Sequence, residues 1–170
     1  MQPGDRLEPE AFTEDGYRLL SSYAASGVAI VSTRLRGRDY AATVTAFLSV
    51  SYDPPTMLVS LFELSRIAEA VDESGTWALT LLGRDQQHTA RRLSSAGAPV
   101  EGMFDQIPHG RGPVTDAAIP TGSVAWFEVK TSAVHTAATH QLFVGEVLSM
   151  GRFGEREPLV HYGSLYRDLR

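Results

Sequence analysis

The chain has 170 residues, 43% of them hydrophobic and 21% charged, with a formal net charge of −5 and no cysteine. That length suits one domain with a substantial core and is short for two. The acidic balance argues against a nucleic-acid partner, and the lack of cysteine removes disulfides, thiolate catalysis and cysteine-ligated metals together, so any redox chemistry needs a bound cofactor.

Residues 1–10 carry Pro, Gly and charge without periodicity and predict a mobile arm, ahead of a single domain over 11–170. This N-terminal stretch has neither an apolar signal core nor a basic amphipathic pattern, and no later run approaches about 18 apolar residues. The expectation is a cytoplasmic protein with no membrane partner. From 11 to 25, Phe12, Leu19, Leu20, Tyr23 and Ala24 recur at roughly helical spacing and predict an opening helix that ends at Ser26-Gly27.

The β-branched run 28–33 fits a strand buried on both faces. A charged turn over 34–39, centred on Gly37, returns the chain as a hairpin into a strand over 40–50. The polar hinge 51–55 contains Pro54-Pro55, which ends that strand and sets the approach angle of the next, 56–62. Ser65 is placed to cap a short helix running to Ser74, with Ile67, Ala70 and Val71 on its apolar side and Gly75 as its stop. A strand over 76–82 and a short helix over 85–93 follow, the latter with Arg91 and Arg92 near its negative end.

Between 94 and 122 the composition turns to Gly, Pro, Ala and polar residues, too long for a plain connection, which predicts either a functional lid or a poorly ordered loop anchored by Phe104 and Ile107. Strands over 123–131, 140–150 and 159–162 complete the chain. In the second, Leu142, Val144, Glu146 and Leu148 alternate with Phe143, Gly145 and Val147, as on a strand lining a closed sheet. About six strands with short helices predict a mainly β fold, a small antiparallel barrel.

Hydroxyls recur through the central run, at Thr43, Thr45, Ser49, Ser51 and Ser60. They can line a polar ligand, or bond neighbouring backbone as strand hydroxyls commonly do. No GxGxxG follows a strand, and P-loop, HExxH and GxSxG patterns are absent, which removes support for classical dinucleotide folds and common hydrolases. His135 and His140 sit five apart across a turn, a spacing that suits surface histidines, and no structural metal is expected. Glu63 with Glu69, or Asp72 with Glu73, lie where solvated acids are ordinary.

Taken together, the runs Ser26-Gly27-Val28-Ala29-Ile30-Val31-Ser32-Thr33, Thr43-Val44-Thr45-Ala46-Phe47 and Ser49-Val50-Ser51-Tyr52-Asp53-Pro54-Pro55 resemble the flavin reductase-like family of FMN-binding split barrels. The similarity continues through Ser65-Arg66, Glu73-Ser74-Gly75, Leu81-Leu82, His140 and the tail from Pro158 to Tyr166, covering nearly everything from Tyr17 onward. The resemblance implies a split β-barrel that passes hydride from NADH or NADPH to FMN or FAD. The reduced flavin then diffuses to a partner flavin-dependent monooxygenase. It also implies a homodimer with each flavin near the subunit interface. Two other uses of the same fold remain open: a fixed-flavin oxidase or electron carrier, and a non-enzymatic small-ligand-binding domain.

Carried over by position, the resemblance places Thr43, Val44, Thr45 and Ala46 on the flavin-facing strand and Ser60, Leu61 and Phe62 beside it. Ser65 and Arg66 match the position that meets the flavin phosphate, where a helix N-terminus and a guanidinium favour an anion; they also read as a simple N-cap and an exposed arginine. His140 matches a histidine close to the flavin and the nicotinamide side, the possible catalytic group, although no side chain need be an obligatory acid or base. Three departures stand out: Ala138-Thr139 precede His140 where the family has Gly-Asp, Thr80 replaces an Asn, and Ala42 replaces a Gly. Tyr162 and Tyr166 resemble the family's closing aromatic pair, able to pack on flavin or nicotinamide or to plug the core.

Overall fold

The structure is a computed structural model and describes residues 8–94, 101–167 and 169. Most of the predicted arm, 1–7, and positions 95–100 of the predicted loop lie outside the described residues. The opening helix is shorter than predicted: α1 (Glu14–Ser22) starts where the Thr13 side chain accepts from the Gly16 N–H at 2.9 Å, and Tyr23 ends it. Ser26–Gly27, expected at the helix end, instead form the two-residue strand β1.

β2 (Ala29–Leu35) is buried through Thr33 and serves two cores, as its apolar run predicts. Ala29 and Val31 face an inner cluster, while Ile30 faces an outer one. The two-residue turn Arg36-Gly37 returns the chain into β3 (Arg38–Val44), paired with β2 from Leu35↔Arg38 to Ala29↔Val44.

The predicted strand 40–50 is in fact two strands. β3 leaves its partner at Val44, and after Thr45-Ala46 the chain resumes as β4 (Phe47–Tyr52), which pairs instead with β5 (Pro55–Phe62). Local β propensity reports an extended backbone and not the identity of its partner, so a change of partner within one extended run is invisible to it. The seven-stranded antiparallel sheet runs β3-β2-β6-β9-β10-β5-β4, with β6 (Thr76–Leu81), β9 (Ala125–Ala137) and β10 (His140–Arg152) at its centre. Chain neighbours β3 and β4 therefore sit at opposite edges, which is the split in the barrel. The Ser60 N–H donates to the Ala46 carbonyl at 2.9 Å and carries the pairing into the crossover.

The inner cluster is built from side chains of alternate strand positions: Val59 and Leu61 on β5, Trp77 and Leu79 on β6, Val129 on β9 and Phe143 on β10. α2 (Arg66–Ser74) adds Ile67, Ala68 and Val71 to it. Its ends are the predicted ones, since Ser65 Oγ accepts from Ala68 N–H at 3.2 Å and Gly75 adopts φ 69°, the left-handed conformation that suits a C-terminal glycine. Phe143, Gly145 and Val147 point inward, with register shifts at Val144/Gly145 and Val147/Ser149. β9 and β10 are 13 residues each, longer than predicted, because their pairing continues to the Ala138-Thr139 turn at one end and to Ala125↔Arg152 at the other.

The outer cluster joins Ile30 and Leu82 to Ala90 and Leu93 of α3 (Gln87–Ser94), and Phe104 and Ile107 anchor the following segment in it as expected. That segment contains the hairpin β7 (His109–Arg111) and β8 (Ala118–Pro120). A small sheet of β1 with β11 (Val160–Tyr162) and β12 (Leu165–Arg167) completes the structure. Among the described residues no helix is long and apolar enough to cross a membrane.

Charge fastens β7 to the β2–β3 hairpin. Asp39 accepts from Arg111 Nη2 at 2.8 Å and from Arg34 Nη1 at 3.1 Å. Burial pushes the Asp39 carboxyl up, but the hydrogen bonds and charges of Arg111 and Arg34 outweigh it and hold the group below its ordinary value of 3.8. A depressed folded-state value means stability that is present above the unfolded value and lost as pH falls through the folded one. Asp39→Asn is therefore expected to flatten the acid limb of the stability profile below about pH 4, measured as urea midpoint against pH; an unchanged limb would mean that the arginines contribute nothing there.

Candidate functional site

The partner switch at Thr45-Ala46 leaves a break in the sheet, and several sequence-singled residues gather along it. Thr45 and Ala46 are exposed on the crossover, and Ala46 meets β5 through the bond from Ser60. Two residues on, Phe62 ends β5, 46% exposed, directly opposite His140 at the start of β10. Their rings meet edge to face with centroids 5.9 Å apart. The Glu63 N–H donates to the Thr139 carbonyl at 3.0 Å and pins the β9–β10 turn against the turn before α2. Ser65 closes the row: its N–H and its hydroxyl both donate to the Phe62 carbonyl, at 3.0 and 2.6 Å. One continuous edge thus carries Thr45, Ala46, Ser60, Phe62, Ser65, Arg66 and His140.

The donor set on this edge suits a flat ring with a polar rim and an anionic tail. The Thr45 and Ser60 hydroxyls take part in no side-chain hydrogen bond among the described residues, so they remain available to a ligand. Phe62 offers an apolar surface between them and His140. The first turn of α2 presents the positive end of a helix, with Arg66 beside it. Arg66 also borders a shallow groove with Tyr40 and Glu69. Ser65 Oγ is committed on both sides, accepting from Ala68 and donating to Phe62, so an anion here is met by the helix end and Arg66 rather than by that hydroxyl.

Other positions singled out in the sequence lie apart from this edge. The Thr43 hydroxyl donates to the Ala90 carbonyl at 2.6 Å and ties β3 to α3, the backbone-bonding alternative for a strand hydroxyl. Val44 and Leu61 are buried in the inner cluster. Thr80 is fully buried between Ile30 and Trp126 in the register, with a hydroxyl that has no partner, so it supports the sheet from behind and offers no surface to a ligand. Tyr162 and Tyr166 lie on the small sheet. Tyr162 meets the Tyr23 ring at 6.1 Å, and Tyr166 packs on the outer cluster between His161 and Arg91. Among the described residues no group of three or more His, Cys, Asp or Glu is placed to hold a metal ion.

Sequence reading missed Glu128, the one fully buried acid among the described residues. Glu128 on β9 accepts from the Thr115 N–H and hydroxyl, each at 2.7 Å, and from the Val114 N–H at 3.1 Å. It pins the β7–β8 loop, where a Cβ added to Gly112 would overlap the Glu128 carboxyl. Within its strand, the alternation of Phe127 and Val129 around an acid reads as an ordinary solvent-facing position, so no local signal marks it.

Comparisons with known proteins agree with this architecture. Residues 21–170 match the family model described as a flavin reductase like domain. An NADH-dependent flavin reductase of Rhodococcus sp is 31% identical over 166 residues, 96% of this chain and 90% of that protein. The reductase component of 4-hydroxyphenylacetate 3-monooxygenase of Thermus thermophilus is 28% identical over 145 residues, 85% of this chain and 89% of its own length. Among solved structures, BorF, the flavin reductase component of a bacterial two-component tryptophan halogenase, superposes with a TM-score of 0.87 at 31% identity, covering 92% of this chain and 98% of that one.

Proposed function

The chain belongs to the flavin reductase-like family, and from that premise we propose that it is an NADH:flavin oxidoreductase that reduces FMN or FAD and supplies the reduced flavin to a partner monooxygenase. The observation that carries this reading is the split itself: the change of strand partner at Thr45-Ala46 exposes one edge on which hydroxyls, an aromatic ring, a helix N-terminus and His140 stand together.

When bound together, the nicotinamide and the flavin would supply the chemistry, a two-electron hydride transfer from one ring to the other. The chain's own residues bind and orient. Thr45 and Ser60 would face the polar rim of the ring and Phe62 its apolar body, while the start of α2 and Arg66 would meet the phosphate. His140 would stand on the nicotinamide side. None of these groups is required to take or give a proton, so the rate gain comes from holding two planar rings in a productive pose.

We read residues 11–170 as one domain working in the cytoplasm, and as a homodimer. Leu48, Leu58 and Val144 stand opposite one another across β4, β5 and β10 on the face away from the inner cluster, with Leu48 51% exposed. α1 buries no side chain at all, and Phe12, just ahead of its N-cap, is 90% exposed. Apolar surface of this kind suits a second copy of the chain.

NADH oxidation at 340 nm with purified protein, with and without FMN, FAD or riboflavin, tests the function; sedimentation of the same sample tests the dimer. Colourless protein whose activity needs added flavin and saturates with it, at twice the chain mass, is the expected result. Yellow protein active without added flavin would favour a fixed prosthetic group, and inactivity with every flavin would favour a binding domain.

A further inference from the structure

His140 is held more tightly than its exposed position suggests. The turn that precedes it takes Ala138 through φ 53°, which brings Thr139 alongside the ring. The Thr139 carbonyl is fixed by the Glu63 N–H at 3.0 Å, so the backbone of the turn cannot swing freely. Its Oγ1 lies 3.1 Å from His140 Nδ1, and Phe62 occupies the neighbouring side of the imidazole. One ring nitrogen and one side of the ring are therefore spoken for, and Nε2 is the polar atom left to address a ligand.

Which nitrogen carries the proton is set by the bond the other one makes. A hydroxyl can donate to Nδ1 or accept from it, whereas a carboxylate can only accept and would favour a proton on Nδ1 and the doubly protonated ring. Around His140, the titratable and charged groups on the packed elements are Glu63 on the turn before α2, Arg66 at the start of α2 and His135 on β9. None of the carboxylates among the described residues forms an ion pair with the ring.

We propose that Thr139 is a positioning residue for His140: its hydroxyl donates to Nδ1, so the neutral imidazole keeps its proton on Nε2 and presents that N–H to a carbonyl acceptor of the bound nicotinamide–flavin pair. The proposal rests on the flavin-reductase reading for its ligand, but the tautomer does not depend on that reading. Thr139 thereby orients the ring through a hydroxyl and leaves the Nε2–H as the donor that faces the ligand.

Two measurements test it together. Nitrogen-15 spectra of the histidine rings at pH 8, without flavin, should give His140 an Nε2–H, Nδ1-acceptor pattern in the wild type and in Thr139→Ser. Thr139→Val should move the ring toward a mixture of tautomers. In NADH oxidation with saturating FMN, Thr139→Val should raise the KM for NADH about fivefold, the size expected for one lost hydrogen bond, with a smaller change in kcat, and Thr139→Ser should restore it. An Nδ1–H ring in the wild type, or equal KM values for the Val and Ser variants, would overturn the proposal. If the wild type oxidises no NADH with any flavin, the flavin-reductase reading fails and the ligand role of Nε2 with it; the tautomer spectra separate that failure from an error about Thr139.

Discussion

Glu128→Ala is expected to cost about 3 kcal/mol of stability, because it removes a fully buried carboxyl that accepts three hydrogen bonds, each contributing roughly 0.5–1.5 kcal/mol. Glu128 is fully buried, and its carboxyl oxygens accept from the Val114 and Thr115 N–H groups and from the Thr115 hydroxyl. Alanine takes away the acceptor that ties the Val114–Thr115 donors to β9, and it frees the loop that Gly112 brings up against the carboxyl. Glu128→Gln keeps one acceptor oxygen but turns an NH2 group toward donors, so its loss should be intermediate. Urea unfolding measures both, read as a lower midpoint at an unchanged slope. A loss under about 1 kcal/mol for the alanine variant would mean that the loop re-pairs elsewhere.

Arg66→Ala is expected to raise the KM for FMN tenfold or more while leaving riboflavin nearly untouched. Riboflavin carries the same ring without the phosphate, so the difference between the two isolates the anionic tail. A charge-assisted hydrogen bond to a phosphate is worth about 1.5–3 kcal/mol, which corresponds to roughly ten- to hundredfold in affinity. The first turn of α2 would still attract the phosphate after the substitution, which sets the lower end of the range. Equal losses for FMN and riboflavin would place Arg66 in ring binding or in the fold and would move the phosphate elsewhere.

Much of the fold could be read from local chemistry. The β-branched run through Ile30 and Val31, the Ser65 cap with its Gly75 stop, and the anchoring of the glycine-rich segment by Phe104 and Ile107 all follow from propensity and pattern, and each is present. What local pattern cannot carry is the choice of partner. The run 40–50 looks like one strand because β-forming residues recur through it, yet the chain bends at Thr45, and Val44 and Phe47 belong to opposite edges of the sheet.

The same limit sorts the candidate site. Thr43 and Thr45 are indistinguishable as strand hydroxyls, but one bonds α3 and the other faces outward beside the break. Thr80 looks polar and therefore accessible, whereas its strand is covered on both faces. Glu128 is the converse case, an acid in an ordinary alternating strand whose three donors arrive from a loop more than ten residues away in sequence. The resemblance to a known family supplied the function that none of these local signals could.

The most direct test of the site is NADH oxidation as a function of FMN concentration, compared between the wild type and Ala46→Trp. Ala46 is exposed on the crossover, so an indole there should leave the fold intact, as circular dichroism would verify, while filling the space beside Ser60 and Phe62. Saturation by FMN in the wild type, with no saturation in the variant at tenfold higher flavin, is the predicted outcome. A folded Ala46→Trp protein with a wild-type KM for FMN would contradict the placement of the flavin at the split.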